Sequence, residues 1–426
     1  MQRPPVRTKV LLLGWALSGG AGRAMDRLYS SLTGLAGEEF EFHLRVIAPV
    51  PDSSPARSGG PKTSWAFDRL NFVRWQLRRG WRHYFLGKPS SLATSADLST
   101  GMKREIEESG YDLVNLHWLG NRTISIQEIG RLKIPTIFTL HDMWPLLDTE
   151  HYDDGLPRRE PSFRERRLIR RVNRLKDKHF RWSFFVSPSR WMKTQALHSP
   201  RADSTRVHHI PNPVDIDFWC PKDPLNSSRK VLKKRGHYSI SFGYSGTGAR
   251  WRKGADLAYE TLVKFADAVR HMNNSAVLHL TLFGDAKWDG SVAVPSNVVV
   301  KEAGRLDDGG LREVLRHSDA LLLTSRIDNL PQIGTEAQSC GVPVFGFQVG
   351  GMGDVVEHEL TGVLVEAFDT DALSHALHES FSAPEALKAY GVEARARAIR
   401  LWRPEVVAQQ YVELFRSAVH FERFKL

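Results

Sequence analysis

The stretch Ser325-Arg326-Ile327-Asp328-Asn329-Leu330-Pro331-Gln332-Ile333-Gly334-Thr335-Glu336-Ala337 runs on through Cys340-Gly341-Val342-Pro343-Val344 to Gly350-Gly351-Met352-Gly353. It reads as strand, loop, acidic helix start, strand, glycine loop. The apolar run 321–324 just before it is short enough for a buried strand, and 342–347 forms the next one. Pro331 falls where a first helical turn tolerates a residue without an N–H. Asp328 and Glu336 thus flank one helix start, whose free backbone N–H groups, with those of the glycine loop, make an anion cradle. Carboxylates beside such a cradle accept hydrogen bonds from hydroxyls. The pairing suits a sugar attached to a phosphate.

Outward from this stretch, strand-like apolar runs alternate with helix-like segments, the pattern of parallel sheets covered by helices. One series of strands is expected at 10–14, 42–48, 113–116, 136–140, 184–187 and 207–210. A second is expected at 239–244, 278–283, 298–300, 320–324, 342–347 and 363–365. With 426 residues, two domains of about 200 residues each are the default. The turn-rich, basic segment between the series divides the chain into an N-terminal domain 1–214, a linker 215–236 and a C-terminal domain 237–402. A last helix, 403–426, starts at a proline and is expected to cross back to the N-terminal domain.

Composition is that of a soluble globular protein, with 41% hydrophobic and 25% charged residues. Two cysteines, Cys220 and Cys340, give neither metal-ligand spacing nor a disulfide framework, which fits a reducing compartment. Residues 1–25 superficially resemble a signal peptide, but the short apolar core runs into Gly19-Gly20-Ala21-Gly22 and reads as a strand entering a helix. No segment approaches the roughly 20 apolar residues needed to cross a bilayer.

The net charge of +11 points to anionic partners, and its placement matters more than its sum. In 65–88, arginines including Arg78, Arg79 and Arg82 alternate with aromatics including Trp75 and Trp81. That interleaving suits an acceptor or membrane surface of anionic headgroups, or equally nucleic acid stacking. The chain matches no nucleic-acid module, so the lipid reading leads. The basic run 158–181 has the plainer reading of a solvated helix face.

Other loops carry chemistry at strand ends. Gly19-Gly20-Ala21-Gly22 allows a phosphate to approach the backbone, or simply makes a tight turn; it is not the full dinucleotide fingerprint. Thr139-Leu140-His141-Asp142-Met143-Trp144-Pro145 puts His141 beyond a buried strand, where open α/β sheets place ligand-binding groups, or where it satisfies loop backbone. His117 sits similarly, with a weaker claim. Ser245-Gly246-Thr247-Gly248-Ala249-Arg250-Trp251-Arg252-Lys253-Gly254 mixes small residues with cations, as a diphosphate requires or as a solvated basic loop would show.

Taken together, the chain resembles the GT-B fold retaining glycosyltransferases of family 4, especially bacterial members that build exopolysaccharides and other surface glycans. The resemblance rests on Gly19-Gly20-Ala21-Gly22, Leu116-His117-Trp118, the His141 element, Ile210-Pro211-Asn212-Pro213, Arg252-Lys253-Gly254, the acidic pair and Gly350-Gly351-Met352-Gly353 with Asp354 to His358. It implies two Rossmann-like domains with parallel sheets facing across a cleft. In that family pattern the donor-binding residues are Gly19, Gly20, Arg250, Arg252, Lys253, Asp328, Asn329, Leu330, Pro331 and Glu336. Glu336 would hold ribose hydroxyls and Asp328 the donor sugar. Lys253 and a nearby arginine would neutralise the diphosphate, and His141 would meet the transferred sugar, so His141, Lys253 and Asp328 are the implied catalytic residues.

The resemblance further implies retaining hexosyl transfer from a nucleoside-diphosphate-sugar to a saccharide, lipid-linked acceptor. No cofactor or metal is expected, since cationic side chains replace the divalent ion of other folds. The protein would be cytoplasmic, peripheral on the inner face of the membrane. Three departures stand out. Asp328 replaces the usual glutamate, 247–249 lie where the family has an arginine several residues before the lysine, with Arg250 as its substitute, and 146–182 lack the cysteine-rich patch of some bacterial relatives. The competing reading is a non-catalytic nucleotide-sugar or glycan binding protein on the same scaffold. A nicotinamide-dependent dehydrogenase is disfavoured by the missing third glycine.

Overall fold

A computed structural model of the protein describes residues 7–35, 37, 39–48, 73, 76, 77, 80, 94–120, 122–153, 160–222, 236–246, 249–272 and 275–423. The expected surface residues Trp75, Arg78, Arg79, Trp81 and Arg82 lie outside them. The chain divides into two compact units, 1–213 with 404–426, and 214–403.

The first unit holds a six-stranded sheet in the order β2-β1-β3-β4-β5-β6. Its strands are β1 (Thr8–Gly14), β2 (Phe40–Val46), β3 (Leu113–Leu116), β4 (Thr136–Thr139), β5 (Phe184–Ser187) and β6 (Val207–His209). All pairings are parallel. Every residue of β3, β4 and β5 is buried, as expected where helices cover both faces of a parallel sheet, while the edge strand β2 alternates buried and half-buried positions.

The second unit repeats the plan in the order β12-β11-β10-β7-β8-β9, again with parallel pairings. Its strands are β7 (His237–Tyr244), β8 (Val277–Gly284), β9 (Val298–Gly304), β10 (Ala320–Leu323), β11 (Val344–Phe347) and β12 (Gly362–Val365). Each expected strand is present, with ends shifted by a few residues.

The segment read as the start of a linker is built into the second unit. Val214, Ile216 and Trp219 are buried, Val214 N–H donates to the Trp402 carbonyl (2.8 Å), and Arg395 donates to the carbonyls of Ile216 (2.8 Å), Trp219 (3.0 Å) and Ser339 (2.9 Å). Apolar side chains close to the proline turn were available to fill the core, so the chain crosses as packed structure.

The last helix, Pro404–Arg423, belongs to the first unit. Val407, Ala408, Tyr411, Val412, Leu414, Phe415 and Ala418 recur at helical spacing and join the core formed by β1, β2 and the helix Gly19–Leu35. Tyr411 reaches the sheet itself: its hydroxyl is 3.1 Å from that of Thr139, which donates to the Asn115 side-chain carbonyl (3.0 Å). Among the described residues no helix is long and apolar enough to cross a membrane.

Candidate active site

In the second sheet the order reverses between β7 and β10, which are hydrogen-bonded neighbours. Connections leaving two such strands diverge, so a crevice opens outside their C-terminal ends. The cationic loop follows β7 and the acidic loop follows β10, and backbone contacts tie the two together. Arg326 N–H donates to the Arg252 carbonyl (2.8 Å), and the Thr324 hydroxyl donates to the carbonyls of Lys253 (3.1 Å) and Gly254 (2.8 Å). Arg326 also donates to the Trp251 carbonyl (2.8 Å), lies over the Trp251 ring and pairs with Asp256. Gly254 has φ +62°, and a Cβ there would stand 2.0 Å from the Thr324 carbonyl oxygen. Only glycine lets the loops close this tightly.

The result is an ion pair between a buried carboxylate and a half-buried ammonium. The Lys253 ammonium donates to the Asp328 carboxylate, with Arg252 3.8 Å from the same oxygen. Burial pushes the Asp328 carboxyl up, but the charges of Lys253 and Arg252 and the Asn329 N–H hold it below its usual range. Burial lowers the Lys253 ammonium despite that partner. The glycine loop closes on the same residue. Gly351 N–H donates to the Asp328 carbonyl (2.9 Å), and at Gly350 (φ +52°) a Cβ would meet that oxygen at 2.2 Å.

Other expected donor residues sit as follows. Pro331 caps the helix Gln332–Ser339 instead of entering its first turn: its ψ of 109° is extended, and its carbonyl accepts from Gly334 (2.9 Å). Asn329 and Leu330 are buried beside it, and Glu336, one turn into the helix, has no exposed surface. Arg250 is turned outward onto Asp289, away from the Lys253 pair. Asp285, after β8, accepts from Gly246 N–H (2.8 Å) and pairs with Arg305 (2.8 Å).

The first sheet has its own switch point between β1 and β3. There the helix begins at Gly19 itself (φ +75°), so the glycines form its first turn and not a loop before it. Gly20 faces open space, whereas a Cβ on Gly22 would stand 2.5 Å from the Ala16 carbonyl oxygen. Trp15 N–H donates to the Trp118 carbonyl (3.1 Å), joining the loops after β1 and β3.

His141 follows β4 and is half-buried, in a recess it shares with His117, Trp118 and Asp142. Its Nε2 lies 2.9 Å from His117 Nδ1. Burial lowers His141 to about 4, and burial with the neighbouring His141 holds His117 well below its ordinary value. Burial raises Asp142, but His151 and the Trp144 N–H (3.0 Å) hold it low. His151 Nδ1 lies 2.5 Å from Asp142, and its Nε2 is 2.8 Å from the Thr94 hydroxyl.

The loop after His141 is fixed by a residue that charge counting concealed. Lys176 lies in the basic run but is fully buried, its ammonium donating to the carbonyls of Trp144, Leu147 (3.1 Å) and Asp148 (2.6 Å). Leu168, Val172 and Lys176 are the buried face of the helix Phe163–His179, spaced by four, and that spacing was the available signal.

The fold is similar to that of Anabaena HepE, solved in complex with UDP. The likeness has a TM-score of 0.59 at 16% identity and covers 96% of this chain and 100% of that one. WaaG, a glycosyltransferase involved in lipopolysaccharide biosynthesis, is similar with a TM-score of 0.57 at 17% identity, over 94% and 98%. Residues 19–218 match Glycosyltransferase Family 4 and residues 250–397 match Glycosyl transferases group 1. The chain therefore belongs to the group 1, family 4 glycosyltransferases of GT-B fold. It is 24% identical to the alpha-maltose-1-phosphate synthase of Mycolicibacterium smegmatis over 67% of this chain and 73% of that one. A GDP-mannose-dependent monoacylated phosphatidylinositol monomannoside mannosyltransferase of Corynebacterium glutamicum is 26% identical, over 49% of this chain and 56% of its own length.

Proposed function

We propose that the protein is a retaining, metal-independent glycosyltransferase. It moves a hexosyl group from a nucleoside-diphosphate-sugar to a saccharide acceptor, lipid-linked, in the building of a polysaccharide or surface glycan. The observation that carries this is the cluster at the β7–β10 switch point, where the half-buried Lys253 ammonium meets the Asp328 carboxylate and the glycine backbone closes on the Asp328 carbonyl.

In this reading Lys253 and Arg252 meet the diphosphate as charge builds on the leaving group, assisted by the Leu330 N–H, while the Asn329 N–H steadies the Asp328 carboxylate beside the donor. Pro331, lacking an N–H, shapes the turn, and Glu336 accepts from ribose hydroxyls. Preorganised charge of this kind contributes the transition-state stabilisation that a divalent ion supplies elsewhere. Gly20, with no side chain, lets a phosphate approach the start of its helix closely. His141 contacts the transferred sugar. Relatives support the substrate class: one is GDP-mannose-dependent, and HepE was solved with UDP and glucose. Association with an anionic membrane on the cytoplasmic face, through 65–88, completes the proposal, and flotation on liposomes with and without anionic lipid checks it.

The direct test is transfer from a panel of nucleotide-sugars chosen by thermal shift, where ligand at about 100 times its Kd stabilises by about 2.7 kcal/mol. Lys253→Ala and Glu336→Gln are expected to reduce turnover by about 10²-fold or more with the fold intact. Near-normal turnover in either folded variant overturns the assignment. EDTA is expected to leave the rate unchanged, and the product to keep the donor's anomeric configuration.

A further inference from the structure

His117 and His141 each follow a strand at the C-terminal edge of the first sheet, 24 residues apart in sequence, with near-parallel rings whose centroids are 5.1 Å apart. The 2.9 Å contact between His117 Nδ1 and His141 Nε2 needs one proton on one of the two nitrogens. A neutral imidazole has one donor and one acceptor, so this single bond dictates the tautomer of both rings.

The two arrangements are unequal. If His141 donated, His117 would accept at Nδ1 and carry its own proton on Nε2. That nitrogen is buried and has no hydrogen-bond partner, so an N–H would be stranded there. If His117 donates, the same nitrogen is an idle lone pair. Buried N–H groups without an acceptor are rarer in folded chains than under-used acceptors, and stranding one forfeits a hydrogen bond. Asp142, whose oxygens accept from His151 and Trp144 N–H, acts on His141 through its charge, which favours a proton on that ring and not its removal.

We propose that His117 is a positioning residue for transfer: it donates to His141 Nε2 and thereby fixes the proton of His141 on Nδ1. His141 then offers the sugar a hydrogen-bond donor and no base. The catalytic consequence rests on the reading of His141 given above, whereas the tautomer stands apart from it. The group His141 recognises is accordingly an acceptor, such as a hydroxyl or ring oxygen of the transferred sugar.

The test uses the full chain labelled with ¹⁵N-histidine. Long-range ¹H–¹⁵N spectra at neutral pH, assigned with His141→Gln, are expected to show His141 protonated at Nδ1 and bare at Nε2. A proton on His141 Nε2 in the unaltered chain overturns the proposal whatever the activity. His117→Phe, which cannot donate, is expected to let His141 redistribute between tautomers and to lower kcat about tenfold or more, with donor KM changed by no more than about twofold. His117→Asn keeps an N–H near the Nδ1 position and is expected to recover both the tautomer and most of kcat. Equal losses in the Phe and Asn variants, with both folded, also overturn it. Normal transfer by His141→Gln would instead remove the catalytic role of His141 and leave the tautomer assignment standing.

Discussion

Asp328 is the residue at which the site is organised, and its carboxylate is engaged by a cation. In the family pattern this acid serves the donor sugar, yet here its Oδ2 holds the Lys253 ammonium. Removing one partner of a buried pair strands the other, typically at about 3–5 kcal/mol, and the partial exposure of Lys253 puts this pair toward the lower end. Asp328→Asn is therefore expected to lower Tm. It also releases Lys253 toward the diphosphate, so calorimetry should find nucleoside diphosphate bound at least as tightly while turnover falls about 10²-fold. Weaker binding in proportion to the lost turnover would mean that Asp328 supports the diphosphate site itself and does not merely restrain Lys253. The histidine pair gives a pH dependence of stability. His141 is depressed from 6.5 to about 4 by burial, so the native state resists a proton that the unfolded chain accepts. Stability is complete above about 6.5 and falls as pH drops toward 4, by up to about 3 kcal/mol for this group. Urea titrations across that range should show the loss, smaller in His141→Gln. None of these pairings was legible along the sequence: Lys253 and Asp328 are 75 residues apart, and Lys176 looked like one more charge on a solvated face.

Individual elements were far more readable than their neighbours in space. Runs such as 113–116 and 344–347 are apolar, short and bounded by turn residues, which is local information and enough to mark buried strands. Strand order is set by which surfaces cover which, so the reversal between β7 and β10 that creates the crevice had no local signature. Glycine meaning was half legible. The 19–22 cluster marked a strand-to-helix passage, but only contacts separate Gly22, pressed on Ala16 and Leu17, from Gly20 in open space. The same distinction predicts substitution effects. Gly254→Ala combines φ +62° with an overlap on Thr324, so it should lose about 1–3 kcal/mol or more by thermal unfolding and displace Lys253 from its pair. Gly20→Ala meets nothing within 4 Å and lies in a helix, so its Tm should stay level or rise slightly.

Across the molecule, the chain enters the second unit at Val214 and leaves it at Arg403, with the Val214–Trp402 hydrogen bond clasping the two passages. That unit is one continuous segment with its own core, so an excised 214–403 fragment is expected to unfold cooperatively on heating and to bind nucleoside diphosphate without the remainder. A broad, non-cooperative melt would contradict it. The first unit is discontinuous. It needs Val407, Tyr411, Val412, Leu414 and Phe415 to cover β1 and β2, and each such side chain contributes about 1.5–3 kcal/mol when buried. Their sum, roughly 10 kcal/mol, is comparable with the whole stability of a typical domain. On the ribosome, then, the first half of the chain to be made is the last to be finished. Its apolar sheet face waits through the synthesis of nearly the whole second unit, a delay of roughly 10–40 s at ordinary elongation rates. Cells short of chaperones should accumulate this protein as aggregates of the N-terminal half.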